Sequence, residues 1–147
     1  MRKSLILVVA AAALLVALPA TTQNQQQKRN PNVLKILEQI KGKEDRPAGE
    51  VFKNVQLLKD TPAKRLLSMM EVGYARSLGV NCDHCHVEDQ WDSDDKRQKL
   101  AARDMIRMMK DINDRLEKME NLEVQGQGHI NCTTCHRGQV KPALELK

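Results

Sequence analysis

Apolar positions divide the chain into a small number of helical stretches joined by polar loops. Val33, Ile36, Leu37 and Ile40 recur at helical spacing, with Asn32 placed to cap the start and Gly42 to close the end. Val51-Phe52, Val55 and Leu57-Leu58 are apolar without clean periodicity and predict an extended piece. Thr61-Pro62 then predicts a helix start, Thr as N-cap and Pro in the first turn. Leu67, Met70, Tyr74 and Leu78 fall on one stripe of that helix, and Gly79 stops it. A longer helix is predicted from about Asp94 to Lys118, with Ala101, Met105, Met108, Ile112 and Leu116 as its buried stripe. Asp94 and Asp95 stand near its N-terminus, where the helix dipole favours them. Asn121 to Gly128 reads as a Gly/Gln loop, and Gly138 suits a left-handed turn.

The N-terminal pattern is of another kind. Arg2 and Lys3 precede an apolar run from Leu5 to Leu18, and Pro19-Ala20 offers a cleavage site. Residues 1–20 therefore read as a secretory signal, the alternative being an uncleaved N-terminal anchor. Residues 21–31 are Gln-rich and polar and read as a disordered linker. Residues 32–147 form the one folded domain.

Composition changes the picture through what is scarce. Phe52, Tyr74 and Trp91 are the whole aromatic content, 2% against a hydrophobic fraction of 41%. That is a thin supply of large side chains for a core of this size. The formal charge of +5 falls by two when Arg2 and Lys3 leave with the signal. With no basic run and no stacking aromatics, a nucleic-acid partner is excluded.

The chemistry lies in Cys82-Asp83-His84-Cys85-His86 and Cys132-Thr133-Thr134-Cys135-His136. Two C-x-x-C-H motifs use all four cysteines, and this arrangement attaches c-type haem. Cys82, Cys85, Cys132 and Cys135 would form thioethers to two haem c groups, with His86 and His136 as iron ligands. A zinc ribbon would space its pairs by about 15 to 20 residues, whereas 46 residues separate Cys85 from Cys132. His84 reads as a spacer and His129 as a solvated loop residue. The acidic loop from Val87 to Asp95, with Trp91, is assigned no chemistry. Methionines on the two helices are ordinary core filler unless a helix lies along a haem face. Met70 is then the first choice as sixth ligand on the first helix, with Met69 second, while on the second helix Met105 and Met108 share a face and both stand as candidates.

The motifs also carry a resemblance. Met105-Ile106-Arg107-Met108 leading to Ile112-Asn113, then Cys132 to Gly138 and Pro142, resembles the cytochrome subunit of photosynthetic reaction centres. Leu78-Gly79-Val80-Asn81 before Cys82 is similar to motifs in small bacterial relatives of that subunit. The resemblance implies helix–loop–C-x-x-C-H units in a mainly α-helical, haem-organised multihaem cytochrome c fold with long irregular loops. It also implies a helix methionine as sixth ligand, marking Met105 and Met70. Members of the family with four haems and a lipid-anchoring cysteine differ from this chain, which has two motifs and no such cysteine. The expected function is electron transfer outside the cytoplasm, in the periplasm or an equivalent exported setting, and not catalysis. Partners would be other redox proteins or membrane electron-transfer complexes, with peripheral membrane contact. The rival readings are a dihaem peroxidase-like enzyme with one open site and a haem subunit of a larger membrane redox complex.

Overall fold

The computed structural model describes residues 29–121 and 129–145. The signal, most of the linker and nearly all of the Gly/Gln loop lie outside these residues. Among the described residues the protein is mainly helical and carries no sheet; two isolated bridges, Pro47 to Pro62 and Val87 to Gln90, are its only β pairings.

Helix α1 runs Pro31–Gln39. Its N-cap is Asn30, whose side chain accepts from the Asn32 backbone N–H at 2.9 Å, and Pro31 fills the first position, where a missing N–H costs nothing. The expected cap at Asn32 is thus two residues late, and the fold begins inside the expected linker. The Asn30 backbone N–H also donates to Glu71 at 2.5 Å, tying this end to the methionine-bearing helix.

Short helix α2 (Ala48–Val51) is held by backbone pairs to the next segment: Ala48 N–H to Thr61 O at 2.8 Å and Ala63 N–H to Arg46 O at 2.9 Å. The stretch after it is extended at Phe52 and irregular beyond, as its lack of periodicity predicted. Helix α3 (Ala63–Ser68) starts after Pro62, and Thr61 makes no capping bond. Proline there replaces the cap, because its fixed φ presets the entry and the Thr61 carbonyl is already engaged by Ala48. The core is small: Val33, Ile40, Ala63 and Leu67, flanked by Ile36, Leu37, Val51 and Phe52.

From Met69 to Ala75 the helix widens into a π-helical segment, then returns to α in the short helix α4 (Arg76–Leu78). The stripe read at α spacing could not show this. A π turn inserts a residue, and such widenings concentrate at functional sites. Gly79 ends α4 at φ 66°, as expected of a left-handed stop.

Helix α5 runs Arg97–Leu116. Its buried face is not the expected one. Met105 and Met108 are 49% and 47% exposed, and Ala101 is exposed as well. The helix leans inward instead through Lys99, Ala102, Arg103 and Ile106, one position round. The reason is polar. Arg103 donates twice to Asp94, both at 2.9 Å, and once to the Asn54 carbonyl, which turns that face to the fold. Asp94 therefore serves a side-chain network rather than the helix dipole. Near the far end, buried Asn113 exchanges two hydrogen bonds with the backbone of Ile130, at 3.0 and 2.8 Å. These bonds fix the strand of chain that enters the last helix, α6 (Cys132–His136).

Candidate functional site

The first motif is folded as a 3-10 turn over Cys82–His84, closed by Cys85 N–H to Cys82 O at 3.3 Å and His86 N–H to Cys82 O at 3.0 Å. The tight turn brings Cys82, Cys85 and His86 to one wall of a cavity of about 490 Å³. That volume is in the range of about 300–1,000 Å³ typical of cofactor pockets. Met70, Tyr74 and Trp91 share the lining, and so does the whole extended stretch from Val51 to Leu58. Met69, the alternative to Met70, is not on this wall.

His86 is oriented from behind. Its Nδ1 lies 3.1 Å from the Trp91 carbonyl, and since a carbonyl can only accept, Nδ1 carries the proton. Nε2 is left with its lone pair free, the state a metal-ligating imidazole needs. Burial lowers the His86 pKa, against the raising effect of that hydrogen bond, and the Lys99, Arg103 and Lys96 charges add to the lowering. A neutral ring is favoured. The Trp91 ring packs edge-on against it, centroids 5.9 Å apart. Lys99 Nζ also donates to the Trp91 carbonyl at 3.0 Å and to the Ser93 carbonyl at 2.7 Å, pinning the loop. The loop assigned no chemistry thus holds the histidine of the first motif. A turn closing back within five residues of the motif was the available signal.

The second motif forms α6, with a complete capping box: Asn131 Oδ1 accepts from the Thr133 and Thr134 N–H groups, and Thr134 Oγ1 accepts from Asn131 N–H. His136 Nδ1 lies 3.1 Å from the Gln139 carbonyl, so the same logic leaves its Nε2 free. Arg137 and Gly138 are both left-handed, at φ 49° and 83°, and this tight reversal brings Gln139 back under the ring. Here the surroundings are open. Cys135 is exposed, and the second motif's residues do not line the large cavity.

All four cysteines are free thiols. Burial raises the pKa of Cys82, Cys85 and Cys132, so all three favour the neutral thiol. No three His, Cys, Asp or Glu side chains converge on a common metal-sized point among the described residues. The two cysteine pairs are therefore not halves of one tetrahedral centre. Apolar lining, paired thiols and a back-tethered imidazole together fit a covalently held haem at the first motif. The second motif matches it in thiols and imidazole.

The two motifs are joined by a tight seam. Ser77, 4% exposed, has its Oγ 2.7 Å from Thr133 Oγ1, and its carbonyl accepts the Gly138 N–H at 2.8 Å. A Cβ on Gly79 would stand 2.2 Å from the Gly138 carbonyl oxygen, so only glycine admits this approach. Tyr74, just above the seam, has its pKa raised by burial and further by Cys132 and Cys85, one cysteine from each motif.

Known proteins bear on this geometry. The chain is 35% identical over 83 residues to cytochrome c-554 of Chloroflexus aurantiacus, covering 56% of this chain and 20% of that one. It is 34% identical over 96 residues to the photosynthetic reaction center cytochrome c subunit of Thermochromatium tepidum, covering 65% and 22%. With the corresponding subunit of Roseobacter denitrificans it shares 31% over 102 residues, 65% and 26%. The match spans about a fifth to a quarter of these relatives. Residues 13–145 match the family described as photosynthetic reaction centre cytochrome C subunit. On that match over most of its length, the chain belongs to this family, one of electron-transfer proteins and not of enzymes.

Proposed function

We propose that this chain is a dihaem c-type cytochrome that carries electrons outside the cytoplasm. Cys82 and Cys85 would hold one haem and Cys132 and Cys135 the other, with His86 and His136 as proximal ligands. Haem c supplies a one-electron iron couple, and the chain tunes it. The observation that carries the reading is the shared arrangement of the two motifs: each histidine has Nδ1 tied to a backbone carbonyl, leaving Nε2 to bind iron.

Met70 is the proposed sixth ligand at the first site, since it lines the same cavity as His86 while Met69 does not. Met105 is proposed at the second. It stands on an apolar face of α5 that is about half exposed among the described residues, suited to a flat ring. A thioether on each iron raises the potential and leaves no open position, which favours a carrier over the peroxidase-like alternative. Residues 1–20 are proposed as the export signal. The names of the relatives point to membrane redox complexes as partners.

Intact mass and a pyridine haemochrome assay test the reading. Two covalent haems per chain are expected; the mass of the bare polypeptide would overturn it. Adding carbon monoxide to the reduced protein should leave the spectrum unchanged, whereas stoichiometric binding at one iron would favour the enzyme.

A further inference from the structure

The π-helical segment Met69–Ala75 touches both motifs: the 3-10 turn Cys82–His84 on one side and α6 on the other. Tyr74 is its one aromatic residue and lines the first cavity beside Cys82, Cys85 and His86. Three residues on, Ser77 binds Thr133 and Gly138 of the second motif. The phenol is close enough to both Cys85 and Cys132 for a charge on either to perturb it. Cys85 and Cys132 are 47 positions apart in sequence, so the fold brings one cysteine of each motif near the same phenol.

We propose that Tyr74 is the spacer between the two haem sites: its ring fills the gap between them and carries the electronic coupling through which one site reduces the other. This rests on the two-haem reading above. One electron leaves the ferrous centre at one motif and reduces the ferric centre at the other. Tyr74 is neither oxidised nor deprotonated; it is a positioning residue whose ring replaces water and keeps the path short. The π turn has a role in this account, because the inserted residue rotates Tyr74 relative to Met70 on the same segment. Met70 and Tyr74 both line the first cavity. The seam at Ser77–Thr133 and Gly79–Gly138 keeps the spacing fixed.

The test uses the full-length, haem-loaded protein and its Tyr74→Phe and Tyr74→Leu variants, each first checked for haem content by mass. Two readouts follow: the paired-sign Soret circular dichroism of two interacting haems, and the rate at which a single photo-injected electron redistributes between them. Tyr74→Phe should match wild type in both, because the ring and not the hydroxyl is at work. Tyr74→Leu should redistribute several-fold more slowly with a weakened Soret couplet, while both reduction potentials stay in place. Tyr74→Leu with wild-type rate and couplet would overturn the proposal. If leucine costs a haem, Tyr74→Met, which keeps bulk without a ring, decides on the same criteria. A wild-type mass with fewer than two haems would instead defeat the dihaem reading, and with it any coupling between sites.

Discussion

The two C-x-x-C-H motifs differ in how much protein surrounds them. Around the first, the chain builds a half-open apolar cavity, with a half-buried histidine pinned through Trp91 and a π turn carrying Met70. Around the second, the motif itself is better made, a capped helical turn with its histidine tied to Gln139, but Cys135 is exposed. One motif is held by its surroundings and the other by its own local hydrogen bonds. The difference shows that ligand geometry can be set by a few residues of sequence, while exclusion of water requires the whole fold.

Removing the thiols breaks the comparison most completely. Cys82→Ser/Cys85→Ser and Cys132→Ser/Cys135→Ser should each halve the haem content in a haemochrome assay. The first pair should also cost far more thermal stability, because it opens a cavity of about 490 Å³ between α1, the Val51–Leu58 stretch and α5. Filling it with water leaves the half-buried Ile36 and Phe52 poorly covered. Equal melting temperatures for the two variants would show that the enclosure contributes nothing.

The next effect is on potential. Met70→Leu should lower the potential of one haem by on the order of 100 mV, a part of the roughly 0.8 V over which axial ligands range. Met69→Leu, off the cavity wall, should leave it in place. Met105→Leu is expected to act on the other haem alone. Redox titration followed by absorbance reads all three. A Met69 effect exceeding that of Met70 would reassign the ligand.

How much of this was visible in the sequence follows the same division. The thiols, the histidines, Gly79 and Gly138 were legible because their chemistry depends on near neighbours in the chain. The π turn was not, since 3, 4, 4 spacing of Leu67, Met70, Tyr74 and Leu78 is what a regular helix also gives. Nor was the face of α5, where apolar periodicity pointed to Met105 and Met108 while Arg103 and Asp94 turned the helix the other way. Trp91 was missed because its backbone carbonyl, and not its side chain, binds His86. Contacts made by backbone atoms leave no mark on residue type.

The seam between the halves gives a smaller effect, on stability. Gly79→Ala adds a Cβ that would lie 2.2 Å from the Gly138 carbonyl, at φ 66° where alanine is strained. A cost of about 1–3 kcal/mol is expected for the backbone alone, read by chemical denaturation of the holoprotein. Gly73→Ala is the matched control: its Cβ would meet only Met69 Cβ at 4.0 Å, an ordinary contact. Equal costs at the two glycines would mean that the halves do not depend on close approach at Gly79.

The smallest effect concerns the ion network that gives the first site its outer wall. Arg103 and Lys99 side chains are 12% and 11% exposed, and Asp94 stands between them. The Arg103 hydrogen bond, helped by Lys99 and Asn54, holds the Asp94 carboxyl at about 2, below its ordinary 3.8. A depressed carboxylate pKa means the folded state releases this proton more readily than the unfolded state. Its contribution to stability is therefore full above about pH 4 and disappears as pH falls through about 2. Asp94→Asn should accordingly be less stable than wild type near neutrality, and the two should converge as acid is added, because a protonated Asp94 is nearly isosteric with asparagine. Denaturation at a series of pH values measures the gap. A gap that persists unchanged at pH 2 would mean that Asp94 acts through its shape and not its charge, and that the α5 face is set by packing after all.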